Sequence, residues 1–149
     1  MKHLFSIIAL VASTLVASAQ LAAVYQVDRL NGGTNFVAAA TTNTIGSTFN
    51  VSEYASVDIQ ITMKASATNV TPFIFNFSKT LDSTTYETTP SLTASLTPNG
   101  TNEVSKVYNF SVPNVAGLKL VSIENINANS YGTNISVKWR VKAPKTLAR

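Results

Sequence analysis

The side chains that most often carry acid–base, nucleophilic and zinc chemistry are nearly missing from this chain. It has no cysteine, and its single histidine, His3, lies in an N-terminal segment that has the pattern of a removable leader. Imidazole and thiol groups react or titrate near neutral pH, and they are the usual general bases, nucleophiles and zinc ligands. The sequence therefore argues against an enzyme. We expect no catalytic residue, no metal site and no cofactor.

Carboxylates and serines are the remaining routes to catalysis. Asp82 and Glu87 share one connection, and Asp58 lies on the polar face of a predicted strand. A glycosidase needs two carboxyl groups that face each other across a cleft, one of them with a raised pKa, and the spacing of the acidic residues marks no such pair. Ser136 and Lys138 share a strand face, but by parity it is the exposed face, and no Gly-x-Ser-x-Gly motif is present.

Aromatic residues offer candidates for binding rather than for catalysis. Tyr86 and Tyr131 fall in predicted loops, where an aromatic ring can form part of a contact surface. Trp139 is the only tryptophan, and it shares the parity of Ile135 and Val137 in an alternating segment. The alternation predicts that Trp139 belongs to the core and leaves Tyr86 and Tyr131 as the candidate binding residues.

Uncharged polar groups dominate the composition. Charged residues make up 12 % of the chain, roughly half of the ~25 % found in ordinary globular proteins, whereas Ser, Thr and Asn together make up about a third. The net charge of +4 is modest, and much of it lies near the C-terminus, in Lys138, Arg140, Lys142, Lys145 and Arg149. A nucleic-acid binder carries a broader basic surface, interleaved with aromatic or glycine residues. We therefore do not expect nucleic acid as a partner.

The N-terminus has two interpretations. Residues 1–19 have Lys2 near their start, then an apolar stretch, and end in Ala17-Ser18-Ala19 before Gln20. This is the pattern of a cleaved signal peptide. The apolar stretch is shorter than the ~20 residues of a transmembrane helix, so we expect no stable transmembrane anchor. The alternative is an uncleaved apolar segment that packs on a partner.

Alternating apolar and polar residues predict strands through most of the chain. Ser56–Lys64, Thr71–Lys79 and Ile135–Lys142 have the clearest alternation. About seven or eight strands, with no amphipathic helix after the leader, predict a single antiparallel β-sandwich of immunoglobulin-like or jelly-roll type. The apolar positions of the strands predict a core that includes Ile59, Ile61, Phe73, Phe75, Phe77, Phe110, Val137 and Trp139.

The same pattern predicts the division of the chain. After residues 1–19, we expect N-terminal strands and a linker over residues 20–44, and the β-sandwich domain with a basic C-terminal tail over residues 45–149. Within the domain, Ser91–Thr97 and Glu103–Val112 flank a Pro-Asn-Gly-Thr turn, so we predict that they pair as a hairpin.

Two stretches resemble small β-sandwich structural proteins of tailed phages. They are Ser78–Thr101 (SKTLDSTTYETTPSLTASLTPNGT) and Leu118–Asn129 (LKLVSIENINAN), the latter followed by a terminal strand, ISVKWRVK. Those proteins often combine an S-x-D-x-x-x-Y/W-x-T-T connection with an N-G-T turn and an L-K-L-x-x-I-x-N strand. The resemblance covers roughly residues 56–142. It implies a virion-surface role, such as a head-decoration or fibre-like protein that is often oligomeric, and it assigns no functional residue.

These observations favour a non-enzymatic structural or interaction protein displayed on a surface. The first interpretation is a virion structural protein of the decoration or fibre type, whose partners are other protein subunits in a homo-oligomer or a capsid lattice. Edge strands without charge, such as Ser91–Thr97, favour this side-by-side association. The alternative is a secreted bacterial adhesion or carbohydrate-binding module, extracellular or on the cell surface, with glycans as partners.

The leader separates these two interpretations, because tailed-phage virions assemble in the cytoplasm and an exported subunit would miss assembly. The intact mass of the protein from its native source decides the matter. A chain that begins at Met1 favours the virion role, and a chain that begins near Gln20 means export and favours the secreted module.

Overall fold

In the part of the chain that the structure describes, eight antiparallel strands form two facing sheets. The computed structural model describes residues 24–27, 37–51, 54–67 and 71–144, and the leader and the last residues of the basic tail lie outside them. The strands are β1 (Val24–Val27), β2 (Thr41–Asn50), β3 (Tyr54–Ala65), β4 (Phe73–Thr80), β5 (Leu92–Leu96), β6 (Val104–Ser111), β7 (Gly117–Asn125) and β8 (Gly132–Pro144). Sheet one has the order β1-β8-β3-β6, and sheet two has the order β2-β7-β4-β5. The predicted all-β sandwich is confirmed.

The strands pair according to their distance from the two ends of the chain. β1 pairs with β8, β2 with β7, β3 with β6, and β4 with β5. Such pairing results when one long antiparallel hairpin is rolled up and its successive pairs enter two sheets alternately. Contacts between β3 and β8 and between β4 and β7 complete the sheets. This is a jelly roll, one of the two topologies that the sequence left open. The connection between β4 and β5, residues 81–91, is the tip of the rolled hairpin.

Two details of the sequence prediction differ from the structure. The predicted hairpin of β5 and β6 is wrong, because β5 pairs with β4 in sheet two and β6 pairs with β3 in sheet one. The turn between them does form, since the Asn102 N–H donates to the Asn99 carbonyl at 3.3 Å and Gly100 has φ of 58°. The boundary expected at residue 45 falls inside β2, whose first residues already pair with β7, and β1 lies before it in sheet one.

The core lies between the sheets and consists of alternate side chains from each strand. β4 contributes Phe73, Phe75 and Phe77, all of which are fully buried. β3 contributes a row of β-branched and unbranched side chains, all fully buried, namely Val57, Ile59, Ile61 and Met63. Burial of each such side chain contributes about 1.5–3 kcal/mol to stability. The period-two spacing of these residues is therefore what fixes which face of each strand points inwards.

Of the eight residues expected to form the core, six belong to the buried hydrophobic cluster between the sheets and two pack against it. Ile59, Ile61, Phe73, Phe75, Phe77 and Val137 are fully buried, whereas Phe110 and Trp139 are partly buried and pack against the cluster. Phe110 lies on β6 at the edge of sheet one, where its ring centroid is 5.7 Å from that of Phe77. The Trp139 and Phe49 ring centroids are 4.4 Å apart, so Trp139 joins the two sheets.

A charged cluster ties three strands together on the outer face of sheet one. Asp58 on β3 is only 7 % exposed. Its Oδ1 accepts a hydrogen bond from the Asn109 amide on β6 at 2.9 Å, and its Oδ2 accepts from the Arg140 guanidinium at 3.1 Å and the Lys142 ammonium at 2.7 Å on β8. Burial raises the pKa of Asp58, but the hydrogen bonds from its three partners outweigh burial and lower the pKa to about 2. The cluster therefore links β6, β3 and β8 in their observed register.

Because its pKa is lowered on folding, Asp58 stabilises the fold above its unfolded pKa, and this contribution is lost as the pH falls through about 2. The shift from 3.8 to about 2 corresponds to at most about 2 kcal/mol, and solvent around the half-exposed cations reduces this to about 1–2 kcal/mol. We expect Asp58→Asn to cost about 2 kcal/mol at pH 7, since Arg140 and Lys142 lose their shared anion. Urea unfolding at pH 7 and pH 2 measures both effects.

Glu103→Gln is the matched control, because Glu103 is an exposed carboxylate that precedes β6. It should change the free energy of unfolding by less than about 0.5 kcal/mol. We expect the free energies of unfolding of wild type and Asp58→Asn to differ at pH 7 and to differ less at pH 2. An equal difference at both pH values would show that Asp58 acts through packing and not through its charge.

Candidate functional site

Three chain connections meet at one end of the sandwich. They follow β2, β4 (loop 81–91) and β6 (turn 112–116). Two backbone hydrogen bonds join them, because the Val51 N–H donates to the Ala116 carbonyl at 3.0 Å and the Ala116 N–H donates to the Thr80 carbonyl at 2.8 Å. The rolled topology brings these connections together, since β2, β4 and β6 all end on the same side of the molecule.

Asp82 organises the first half of loop 81–91. Its Oδ1 accepts hydrogen bonds from the Thr80 hydroxyl at 2.8 Å, the Thr84 N–H at 2.9 Å and the Thr85 N–H at 2.7 Å. Ser83, between them, has φ of 63°, a left-handed conformation that these bonds hold in place. The backbone N–H groups of Thr85 and Thr84, followed by the Thr80 hydroxyl, lower the pKa of Asp82 well below its usual range.

Glu87 organises the second half of the loop. Its Oε2 accepts hydrogen bonds from the Ser91 hydroxyl at 2.5 Å and from the Lys79 N–H at 3.0 Å, and its own N–H donates to the Lys79 carbonyl at 2.9 Å. The bond from Ser91, followed by that from Lys79, lowers the pKa of Glu87. Asp82 and Glu87 are therefore ionised hydrogen-bond acceptors at neutral pH. A glycosidase general acid needs the opposite shift.

Tyr86 lies between these two carboxylates with its side chain half-buried. Its backbone pairs with Thr80, and its hydroxyl lies close to Gly117 at the start of β7. A Cβ atom at Gly117 would lie 3.3 Å from the Tyr86 hydroxyl oxygen and 3.1 Å from the Thr80 Cγ2 atom, so glycine makes room for the hydroxyl. The Lys119 ammonium lies 5.6 Å from the ring centroid. Burial, together with the nearby Asp82 carboxylate, raises the pKa of Tyr86.

An open cleft lies between loop 81–91 and turn 112–116. It has a volume of about 580 Å³, and its lining includes Leu81, Asp82, Tyr86, Glu87, Asn114 and Val115. Leu81 is 80 % exposed, whereas Val115 is buried in the cleft floor. A smaller cleft of about 140 Å³ lies beside Gly117, and Tyr86 lines both. We call the larger cavity the Tyr86 cleft. It combines an apolar wall with ionised acceptors.

The two tyrosines predicted as binding residues are not brought together. Tyr131 lies at the opposite end of the sandwich, where the Ser66 N–H donates to the Tyr131 carbonyl at 3.0 Å and the Tyr131 N–H donates to the Ser66 hydroxyl at 3.1 Å. Its side chain is 44 % exposed. Tyr86 lines a cleft together with other side chains that could hold a ligand.

Sequence reasoning missed Leu81, Asn114 and Val115 as members of the site. The Thr80-Leu81-Asp82 sequence, followed by Ser83 and two threonines, is a signal for a turn held by side-chain to backbone hydrogen bonds, and Leu81 is exposed on this turn. No local sequence signal predicts that turn 112–116 lies beside loop 81–91, because this contact results from the pairing order of distant strands.

Two absences in the described part of the chain bear on its chemistry. In residues 24–27, 37–51, 54–67 and 71–144, no three His, Cys, Asp or Glu side chains converge as metal ligands would. The same part of the chain contains no helix with the length and apolar character of a membrane span.

No protein-family model matches the sequence, and no curated protein sequence matches it either. Solved structures do match its fold. A chain in the structure of infectious bursal disease virus strain Gx aligns with 87 % of this chain and 35 % of its own length, with a TM-score of 0.51 and 11 % identity. A chain of the VP2 subviral particle of the same virus aligns with 83 % of this chain and 34 % of its own, with a TM-score of 0.50 and 10 % identity.

The CBM36-1 domain of a multidomain xylanase, from the hindgut metagenome of Trinervitermes trinervoides, aligns with 81 % of this chain and 97 % of its own length, with a TM-score of 0.52 and 9 % identity. This chain thus spans about a third of the viral chains but nearly all of the carbohydrate-binding module. At these identities the likeness concerns the fold alone. The fold is one that both virus-particle chains and a carbohydrate-binding module adopt.

Proposed function

We propose that this protein is a structural subunit of a surface assembly, of the virion decoration or fibre type, whose copies associate through sheet edges. The single observation that carries the proposal is the edge of sheet two formed by β2. This strand has ten residues and no charged side chain, and within the described part of the chain it is hydrogen-bonded to a strand on one side only. An edge strand of this kind is a template for pairing with another chain.

The remaining edge of sheet two is less available, which makes β2 the preferred contact. β5 has only five residues, and the Tyr108 hydroxyl of β6 donates a hydrogen bond to its Ser95 carbonyl. β2 carries one protective feature, a bulge between Thr44 and Ser47, which divides the edge into two short segments. Monomeric proteins usually add lysine or proline to such an edge, and β2 has neither.

The composition supports close packing of copies. With charged residues at only 12 % of the chain, few like charges oppose the approach of a second copy. Exposed positions of β2 such as Thr42, Thr44 and Thr48 are hydroxyl side chains, which suit a sheet that continues across a subunit boundary. Pairing of two β2 strands about a two-fold axis would produce an eight-stranded sheet from two four-stranded ones. The proposed location is the surface of a virion.

The test is the association state of the full chain, measured by sedimentation velocity over the micromolar range. We expect dimers or larger oligomers for the wild type. We expect Thr44→Lys to weaken association by at least about tenfold, because a lysine on an edge strand opposes pairing and two copies would bring two ammonium groups together. A melting temperature within a few degrees of wild type confirms that the variant is folded.

Thr101→Lys is the matched control, since Thr101 is exposed in the turn before β6 and the substitution changes the charge equally. It should associate like the wild type. A wild type that stays monomeric over the whole range, or a Thr44→Lys protein that associates unchanged, contradicts the proposal. A monomer exported from a cell would instead favour the secreted adhesion or carbohydrate-binding module.

A further inference from the structure

The Tyr86 cleft lies at the end of the sandwich where β2 also ends, and its chemistry differs from that of the β2 edge. β2 forms one edge of sheet two, whereas the cleft opens between loop 81–91 and turn 112–116. Its volume of about 580 Å³ lies within the ~300–1,000 Å³ of small-molecule sites. We propose that this cleft binds a neutral saccharide, with the sugar ring against Tyr86 and Leu81 and its hydroxyls bonded to Asp82 and Glu87.

The aromatic wall of the cleft is held by several contacts before any ligand binds. Tyr86 is held by its backbone pairing with Thr80 and by the contact of its hydroxyl with Gly117, and Lys119 lies against its ring. A fixed aromatic ring loses little conformational entropy when a ligand packs against it. Tyr86 therefore offers a preformed platform.

The polar groups at the rim of the cleft include the carboxylates of Asp82 and Glu87. Asp82 uses Oδ1 for three hydrogen bonds within loop 81–91, and both hydrogen bonds from Ser91 and Lys79 reach Glu87 through Oε2. The loop thus orients both carboxylates, and both residues line the cleft. Ionised carboxylates only accept hydrogen bonds, so a matching ligand has to donate. Sugar hydroxyl groups are such donors.

The lining of the cleft combines apolar and polar groups, which disfavours other classes of ligand. A purely apolar ligand would cover the two carboxylates without giving them hydrogen bonds, which is costly. An anion such as a phosphate group would face two carboxylates and the single ammonium of Lys79. A cation would meet the ammonium of Lys79 in the cleft, and Oδ1 of Asp82 and Oε2 of Glu87 already accept hydrogen bonds from the loop. A sugar ring offers an apolar face together with neutral donors, and Asn114 can bond its remaining oxygens.

The experiment is a titration of the full chain, monitored by NMR or calorimetry, with neutral hexaoses of xylose, glucose and mannose, and with sialyllactose as an anionic comparison. We expect at least one neutral hexaose to bind with micromolar to millimolar affinity. We expect Leu81→Ala, at an 80 % exposed side chain, to weaken binding by about threefold to tenfold without changing the melting temperature, because it removes apolar contact only.

Glu87→Gln tests the polar half of the site and should weaken binding by at least about tenfold, since a charged acceptor is lost. Tyr131→Ala is the matched control, because it removes an exposed tyrosine at the opposite end of the sandwich, and it should bind like the wild type. The Thr44→Lys protein should bind equally well, which separates this site from the edge contact. The proposal is overturned if no neutral hexaose binds, if sialyllactose alone binds, or if binding survives both Leu81→Ala and Glu87→Gln unchanged.

Discussion

The interdigitation of alternate side chains from β3 and β4 between two sheets is the constraint on which the molecule depends. Phe73, Phe75 and Phe77 from one sheet face Ile59 and its neighbours from the other, and none of them is accessible to water. A slip of either strand by one residue would move this entire set to the outside. Such a slip is therefore very costly, and the register of both sheets follows from the core.

The site at the tip of the rolled hairpin inherits its geometry from that register. Tyr86 is placed by its pairing with Thr80 and by its approach to Gly117, and these two residues are themselves paired partners on β4 and β7. Turn 112–116 reaches the same place because β6 ends where β7 begins. The cleft thus results from the strand order. Loop 81–91 supplies its carboxylates, and the two sheets determine where the loop lies.

The strands could be predicted from the sequence because their alternation is strong and local. The clear alternation of Ser56–Lys64 and of Thr71–Lys79 reflects an apolar inner face and a polar outer face, and β3 and β4 lie there. The order of the strands could not be predicted in this way, since the Pro-Asn-Gly-Thr turn indicates a change of direction but not which sheet the chain enters. For the same reason, Tyr86 could be predicted as a binding residue because it lies in a predicted loop. Asn114 and Val115 could not, because they line the cleft through contacts between distant segments.

The charged cluster around Asp58 has a consequence for the whole molecule. Lys138, Arg140 and Lys142 follow one another on the outer face of sheet one with only Asp58 among them, whereas the tip of the rolled hairpin carries Asp82 and Glu87. The three cations outnumber Asp58, so this part of the outer face of sheet one is positively charged, whereas Lys79 in the Tyr86 cleft and Lys119 beside Tyr86 offset the two carboxylates at the tip. Near an acidic surface, at separations below the ~8 Å screening length of physiological salt, the face that carries Lys138, Arg140 and Lys142 is attracted more strongly than the tip.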